Sequence, residues 1–247
     1  MKFTTILPLF VLALAGCKGG DTTVVDGKTP AATGTTGAPA KEQSGPDRGT
    51  IPQNLKHAAF EYYGLGNTKS MDVTLKAPDV AEKTGGVSID FEKMLEGKAY
   101  FKVTRTGAVA EDLGNDSVMV DSTGVYMVGT SIGTISPNQF LALPADVTPG
   151  KTWKLKTKVT REDNQEIEED STYKIVGVQD VKTKAGTQKA LLVTSDGFAN
   201  VSVGTQKQKA KYQTKSWYVK GVGPVRIEIS LTPTGQATRT LVVEQSS

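Results

Sequence analysis

The chain has 247 residues, with 29 Lys and Arg against 26 Asp and Glu, a formal charge of +3, one histidine and one cysteine. That even balance of charge argues against a nucleic-acid binder, which needs a strongly basic face. A lone His and a lone Cys exclude His/Cys zinc centres, leave no His–Cys pair and oblige any Ser–His–acid triad to use His57.

The chain opens on a basic tip, Lys2, and an apolar stretch from Ile6 to Ala15 broken only by Pro8. That stretch is about half of what a helix needs to cross a bilayer, so residues 1–16 read as a signal peptide. It closes on Leu14-Ala15-Gly16-Cys17, which resembles the lipobox of bacterial lipoproteins. The resemblance implies cleavage before Cys17, diacylglycerol on its thiol and an acylated new amino terminus. Two or three acyl chains, at about 0.8 kcal/mol per buried CH2, would hold the protein durably on a membrane. Cys17 has no disulfide partner within the chain. By the same resemblance, Lys18 in place of an Asp favours the outer membrane where the cell has one. Residues 17–50 are rich in Gly, Thr, Ala and Pro, with Val24 and Val25 the large aliphatics. Too little apolar area is on offer to offset chain entropy, so this segment is expected to be a disordered tether of roughly 30 Å mean span.

Residues 51–247 suit a single domain, large enough to fold without disulfides. Period-two alternation dominates them: Met71, Val73, Leu75 and Ala77; Trp153, Leu155, Thr157 and Val159; Val225, Ile227, Ile229 and Leu231. Apolar on one face and polar on the other marks antiparallel strands with one wet side. Further strands are predicted near Phe60–Tyr63, Tyr100–Thr104, Gly124–Val128, Tyr173–Val178, Ala190–Thr194, Asn200–Val203, Tyr212–Val219 and Thr240–Glu244. Turns are predicted at Gly114-Asn115-Asp116, Ser195-Asp196-Gly197 and Pro233-Thr234-Gly235. The best helix candidates are Ile89–Leu95 and a short turn near Pro137–Leu141. The fold class is mainly β: an antiparallel curved sheet, half-barrel or clamshell-like, or a β-sandwich, with few short helices.

Three segments carry a further likeness. Leu143-Pro144-Ala145-Asp146-Val147-Thr148-Pro149-Gly150-Lys151-Thr152-Trp153 opens a strand after a turn, and Thr183-Lys184-Ala185-Gly186-Thr187 leads into Leu191–Val193. Trp217-Tyr218-Val219-Lys220-Gly221-Val222-Gly223-Pro224-Val225-Arg226 then crosses a glycine kink. In this order they resemble a TapB-like family of bacterial envelope domains, often found on lipoproteins and similar to the half-barrels of lipoprotein carriers. Pro224 departs from the aliphatic expected there. The family brings no catalytic residue with it. Read unaided, Gly221 and Gly223 permit a bulge or bend, Pro224 suits the first residue of the next strand, and Trp217 and Val219 share a core face. Gly-Val-Gly lacks the further glycine and following helix of a phosphate cradle.

Catalytic chemistry is scarce. His57, beside Ala58 and Ala59, reads as an ordinary strand-edge residue. Glu162, Asp163, Glu166, Glu168, Glu169 and Asp170 read as a solvated hairpin tip without the EF-hand's central glycine. Lys154, Lys156 and Lys158, and Lys207, Lys209, Lys211 and Lys215, read as wet faces of strands. The chain is thus expected to be no enzyme, without catalytic residues, metal or cofactor, in the cell envelope and lipid-anchored through Cys17. Two roles follow: a binding module whose concave face takes a lipid-like or other envelope ligand, or a structural lipoprotein that contacts a protein partner. In a carrier, Trp153, Leu155 and Val159, or Val225, Ile227 and Ile229, would line an apolar cavity above roughly 300 Å3; a structural module would pack them shut.

Overall fold

A computed structural model describes residues 48–247 apart from 68, 162–164 and 204–205. The expected signal peptide, Cys17 and all but the end of the expected tether lie outside these residues, as do Glu162 and Asp163. Arg48–Thr50 and Gln53–Leu55 form 3-10 turns, followed by helix α1 (Ala58–Tyr62). Strands β1 (Met71–Lys76), β2 (Lys83–Leu95) and β3 (Lys98–Arg105) precede helix α2 (Ala108–Leu113). Then come β4 (Asp116–Asp121), β5 (Gly124–Thr130), β6 (Thr134–Ser136), β7 (Phe140–Pro144) and β8 (Thr152–Thr160). Three long strands, β9 (Glu166–Thr183), β10 (Gly186–Val203) and β11 (Gln206–Val219), lead to β12 (Gly223–Pro233) and β13 (Arg239–Gln245).

All thirteen strands belong to one antiparallel sheet, in the order β6-β8-β9-β10-β11-β12-β13-β1-β2-β3-β4-β5-β7. β6 and β7 sit at opposite ends of that order, yet only residues 137–139 join them, so the sheet must curl until its ends are neighbours. Across the seam the Trp153 indole N–H donates to the Leu141 carbonyl at 3.1 Å, and among the described residues no ladder closes the gap. Register shifts at Phe91/Lys93, Leu192/Val193 and Trp217/Tyr218 supply local bends of the kind bulges produce. The result is a curved, unclosed sheet.

Burial divides the interior. One cluster gathers Phe60, Phe91, Phe101, Val118, Val120 and Leu143 with Ile175, Leu191 and Val193. A second gathers Met71, Val73 and Leu75 with Val181, Leu192, Trp217, Val225 and Leu241. Along β10, Leu191 and Val193 enter the first and Ala190 and Leu192 the second, so this short run is buried on both faces. Among the described residues, the buried members of both clusters run from Ile51 to Leu241. Each large side chain so buried stabilises by roughly 1.5–3 kcal/mol.

Several expectations are corrected. Ile89–Leu95 is not helix but part of β2, with Ile89 opposite Val103 and Phe91 opposite Phe101. The bulge after Phe91 breaks the alternation and spaces the apolar residues in a way that imitates a helix. Phe60–Tyr63 is not a strand: Ala58–Tyr62 is a helical turn, its N-cap being His57. The segment near Pro137 does not form a helical turn; it bridges β6 to β7, and Phe140 already pairs with Met127. Ser195-Asp196-Gly197 is no turn either, since β10 runs through it. A Cβ at Gly197 would stand 2.2 Å from the Asp170 carbonyl, so glycine here permits close strand approach. Glu166, Glu168 and Asp170 belong to β9 rather than to a hairpin tip, opposite Thr160, Lys158 and Lys156 of β8.

Candidate functional site

The Trp217–Arg226 block is a hairpin in the structure rather than a kinked strand. β11 ends at Val219, Gly221 (φ +76°) lies in the turn, and Pro224 is the second residue of β12. The hairpin docks on the end of α1 and the residues that follow it: the Gly221 amide donates to the Glu61 carbonyl at 2.8 Å. Gly64 (φ +76°) sits so close that a Cβ there would stand 2.3 Å from the Val222 carbonyl oxygen. These contacts bring Tyr63 against Tyr218, ring centroids 5.9 Å apart, at the mouth of an apolar cleft.

The cleft holds about 190 Å3. Met71 and Val73 of β1, Val87 and Ile89 of β2 and Val103 of β3 line it, with Val243 of the neighbouring β13 and Ile227 of β12. Its polar rim is short: Tyr63, Tyr218, Asn67, Lys69 and the pair Arg105–Asp116. Arg105 closes β3 and Asp116 opens β4, and their side chains meet at 2.7 Å. Arg105 also donates to the Gly114 carbonyl at 2.8 Å, just where Gly114 (φ +62°) ends α2. Burial pushes the Tyr63 phenol well above its ordinary range, helped by Tyr218 and Asp116 and opposed by Arg105. Burial likewise pushes Tyr218 up to about 12. Both phenols are therefore neutral hydroxyls at physiological pH. The cleft thus offers apolar walls and donors but no paired nucleophile and base, an arrangement fit for holding a ligand.

The residues singled out in the sequence lie elsewhere. His57 is not at a strand edge: its Nδ1 accepts from the Phe60 amide at 3.2 Å and its Nε2 donates to the Asp121 carbonyl at 3.0 Å. Both ring nitrogens are committed to fixing α1, which leaves none for a triad. Trp217 is 8% exposed and packs in the second cluster with Val219. Trp153 stacks on Tyr173 at 5.4 Å, and Leu155 and Val225 are 4% and 1% exposed, so these concave positions are filled. Ile227 reaches the cleft. Lys154, Lys156, Lys207, Lys209, Lys211 and Lys215 are exposed, and Lys158 pairs with Glu166. A larger hollow of about 620 Å3 crosses the polar faces of β8 to β12, lined by Thr172, Thr194, Gln213 and Ser230, and is open to water. Among the described residues no three His, Cys, Asp or Glu side chains are placed to hold a metal ion. Tyr63, Lys69, Arg105 and Asp116 were not singled out from sequence. Tyr63 was hidden in a segment read as strand, and nothing in the pattern couples Arg105 to Asp116.

No family model matches the chain, and no curated protein does; the TapB-like likeness thus stands on its three segments alone. Among solved structures, the chain is similar to a predicted lipoprotein from Parabacteroides distasonis, at 11% identity and TM-score 0.49 over 74% of this chain and 97% of that one. It is also similar to a predicted exported protein with a YmcC-like fold from Bacteroides fragilis, at 13% identity and TM-score 0.45 over 72% and 93%. The hypothetical lipoprotein YmcC of Escherichia coli gives 8% identity and TM-score 0.33 over 78% and 90%. At these scores no residue role passes from them to this chain.

Proposed function

We propose that the chain is an exported lipoprotein of the cell envelope, cut before Cys17, anchored by lipid there and placed in the outer membrane where the host has one. Its β domain is a non-enzymatic binding module, and its ligand group is smaller than a membrane lipid. Leu14-Ala15-Gly16-Cys17 and the absence of any second cysteine support the anchor. Residues 17–50 would hold the domain away from the headgroups. The observation that carries the binding role is the apolar cleft beneath Tyr63 and Tyr218. Its 190 Å3 is below the roughly 300–1,000 Å3 of sites that enclose drug-sized ligands. It is comparable to an engineered apolar cavity of about 150 Å3 that admits benzene. A carrier enclosing a whole acyl chain is therefore disfavoured. A second reading, a structural lipoprotein that contacts a protein partner without a small ligand, draws support from the filled concave positions Leu155 and Val225.

Two measurements test these parts. Cys17→Ser should abolish incorporation of radioactive fatty acid and leave uncleaved precursor; unchanged labelling would refute the anchor. Octanol titrated into the unlipidated polypeptide 18–247 should bind saturably, and Val243→Trp, which fills the cleft, should remove that binding. No saturable binding to the unsubstituted chain would leave the protein-partner reading in front.

A further inference from the structure

We propose that the cleft selects a small organic acid, with its apolar tail or ring among Met71, Val73 and Val243 and its carboxylate at the rim beside Lys69. The proposal rests on the reading of the cleft as a ligand site and adds the chemistry of the head group. Size sets the tail: about 190 Å3 holds a short acyl chain or a ring system and no more. Charge sets the head. The rim carries two cations, Lys69 and Arg105, against one anion, Asp116. Asp116 is committed to Arg105 at 2.7 Å in a partly buried pair, so an incoming ammonium would have to break that pair to find its counter-charge. Lys69 is exposed, and its ammonium makes no ion pair among the described residues. Tyr63 and Tyr218, both neutral phenols, line the same cleft. A rim with one uncommitted cation suits an acceptor that carries negative charge, where a charge-assisted hydrogen bond is stronger than a neutral one.

Calorimetric titration of polypeptide 18–247 with octanoate, octanol and octylammonium separates the head from the tail. Octanoate should bind at least tenfold more tightly than octylammonium. Lys69→Glu, at an exposed position, should lower octanoate affinity about tenfold while leaving octanol affinity and the melting temperature unchanged. If octanol binds but octanoate and octylammonium are equal, or if Lys69→Glu leaves their ratio unaltered, the assignment of the head is overturned and the cleft remains a ligand site. If none of the three binds, the reading of the cleft fails and the head assignment fails with it.

Discussion

The two ends of the long strands are buried by different means. At one end Ile175, Leu191 and Val193 join the cluster around Phe101, which touches Phe60 edge-on at 6.0 Å and Phe91 at 5.5 Å. Further along, the same sheet face carries Tyr173 opposite Ser195, Ser195 opposite Thr214, and Gly197 opposite Tyr212. Ser195 and Thr214 share a buried hydrogen bond of 2.7 Å, and Tyr173 donates to Glu169 at 2.9 Å. Beyond them, among the described residues, Val201 and Ala210, flanked by Ile167 and Leu231, make a small apolar cluster. One alternating pattern thus encloses two kinds of interior. The first is apolar, and its stability scales with area removed from water. The second depends on polar groups being satisfied, so its cost falls on whatever group is left charged or unpaired.

If this contrast holds, the largest effect belongs to the aromatic cluster. Phe101 is fully buried, and Phe101→Ala should destabilise by about 3–5 kcal/mol, read by chemical denaturation with an unchanged m-value. A loss under about 1 kcal/mol would mean that this end is not the tight core described here.

Trp217 sharpens the comparison because it belongs to an apolar cluster, yet its buried indole N–H has no hydrogen-bond partner among the described residues. Trp217→Ala should cost about 3–5 kcal/mol, since a large side chain leaves a cavity. Trp217→Phe removes the unpaired donor along with part of the volume and should cost less than about 1.5 kcal/mol. Equal losses for the two would show that the indole N–H has a partner after all.

What the sequence reveals follows the same division. β1, β8 and β12 are legible because each alternates apolar with polar residues, and the strand predicted at Ala190–Thr194 lies in β10, where Ala190–Val193 is buried on both faces. The Ile89–Leu95 part of β2 mimics a helix because a bulge displaces its alternation, and α1 is hidden because a five-residue helix held by its His57 cap has no periodicity to detect. Ser195-Asp196-Gly197 has the composition of a turn, but its glycine serves close packing of β9 on β10. The Trp217–Arg226 block was recognisable as a unit, though not what it does, which is to clamp Gly64 and bring Tyr218 to Tyr63. The cleft itself is not legible: it joins Tyr63 after α1 to Tyr218 of β11 and β1 to the distant strand β13, and no local pattern in the sequence announces either pairing.

The smallest predicted effect has the opposite sign and tests the polar end. Glu169 points into the sheet face shared with Tyr173 and Tyr212, and the residues directly opposite it, Thr157 and Ala199, carry no charge. Burial raises its carboxyl above the ordinary 4.5, while the hydrogen bond from Tyr173 pulls it down and does not fully compensate. The folded state therefore holds this proton more tightly than the unfolded chain. Below the ordinary value both states are protonated and Glu169 contributes nothing. As pH rises through the raised value the folded state must carry a buried carboxylate, so stability falls across that window. Glu169→Gln keeps an oxygen to accept from the Tyr173 hydroxyl and removes the charge. It should melt higher than the unsubstituted protein near pH 7, with the difference shrinking towards about pH 4 as both forms become neutral at this position. Melting curves of the two proteins across that range give the test: a difference that does not change with pH would mean that the polar interior carries no charged carboxylate, and the contrast between the two ends of the strands would reduce to packing alone.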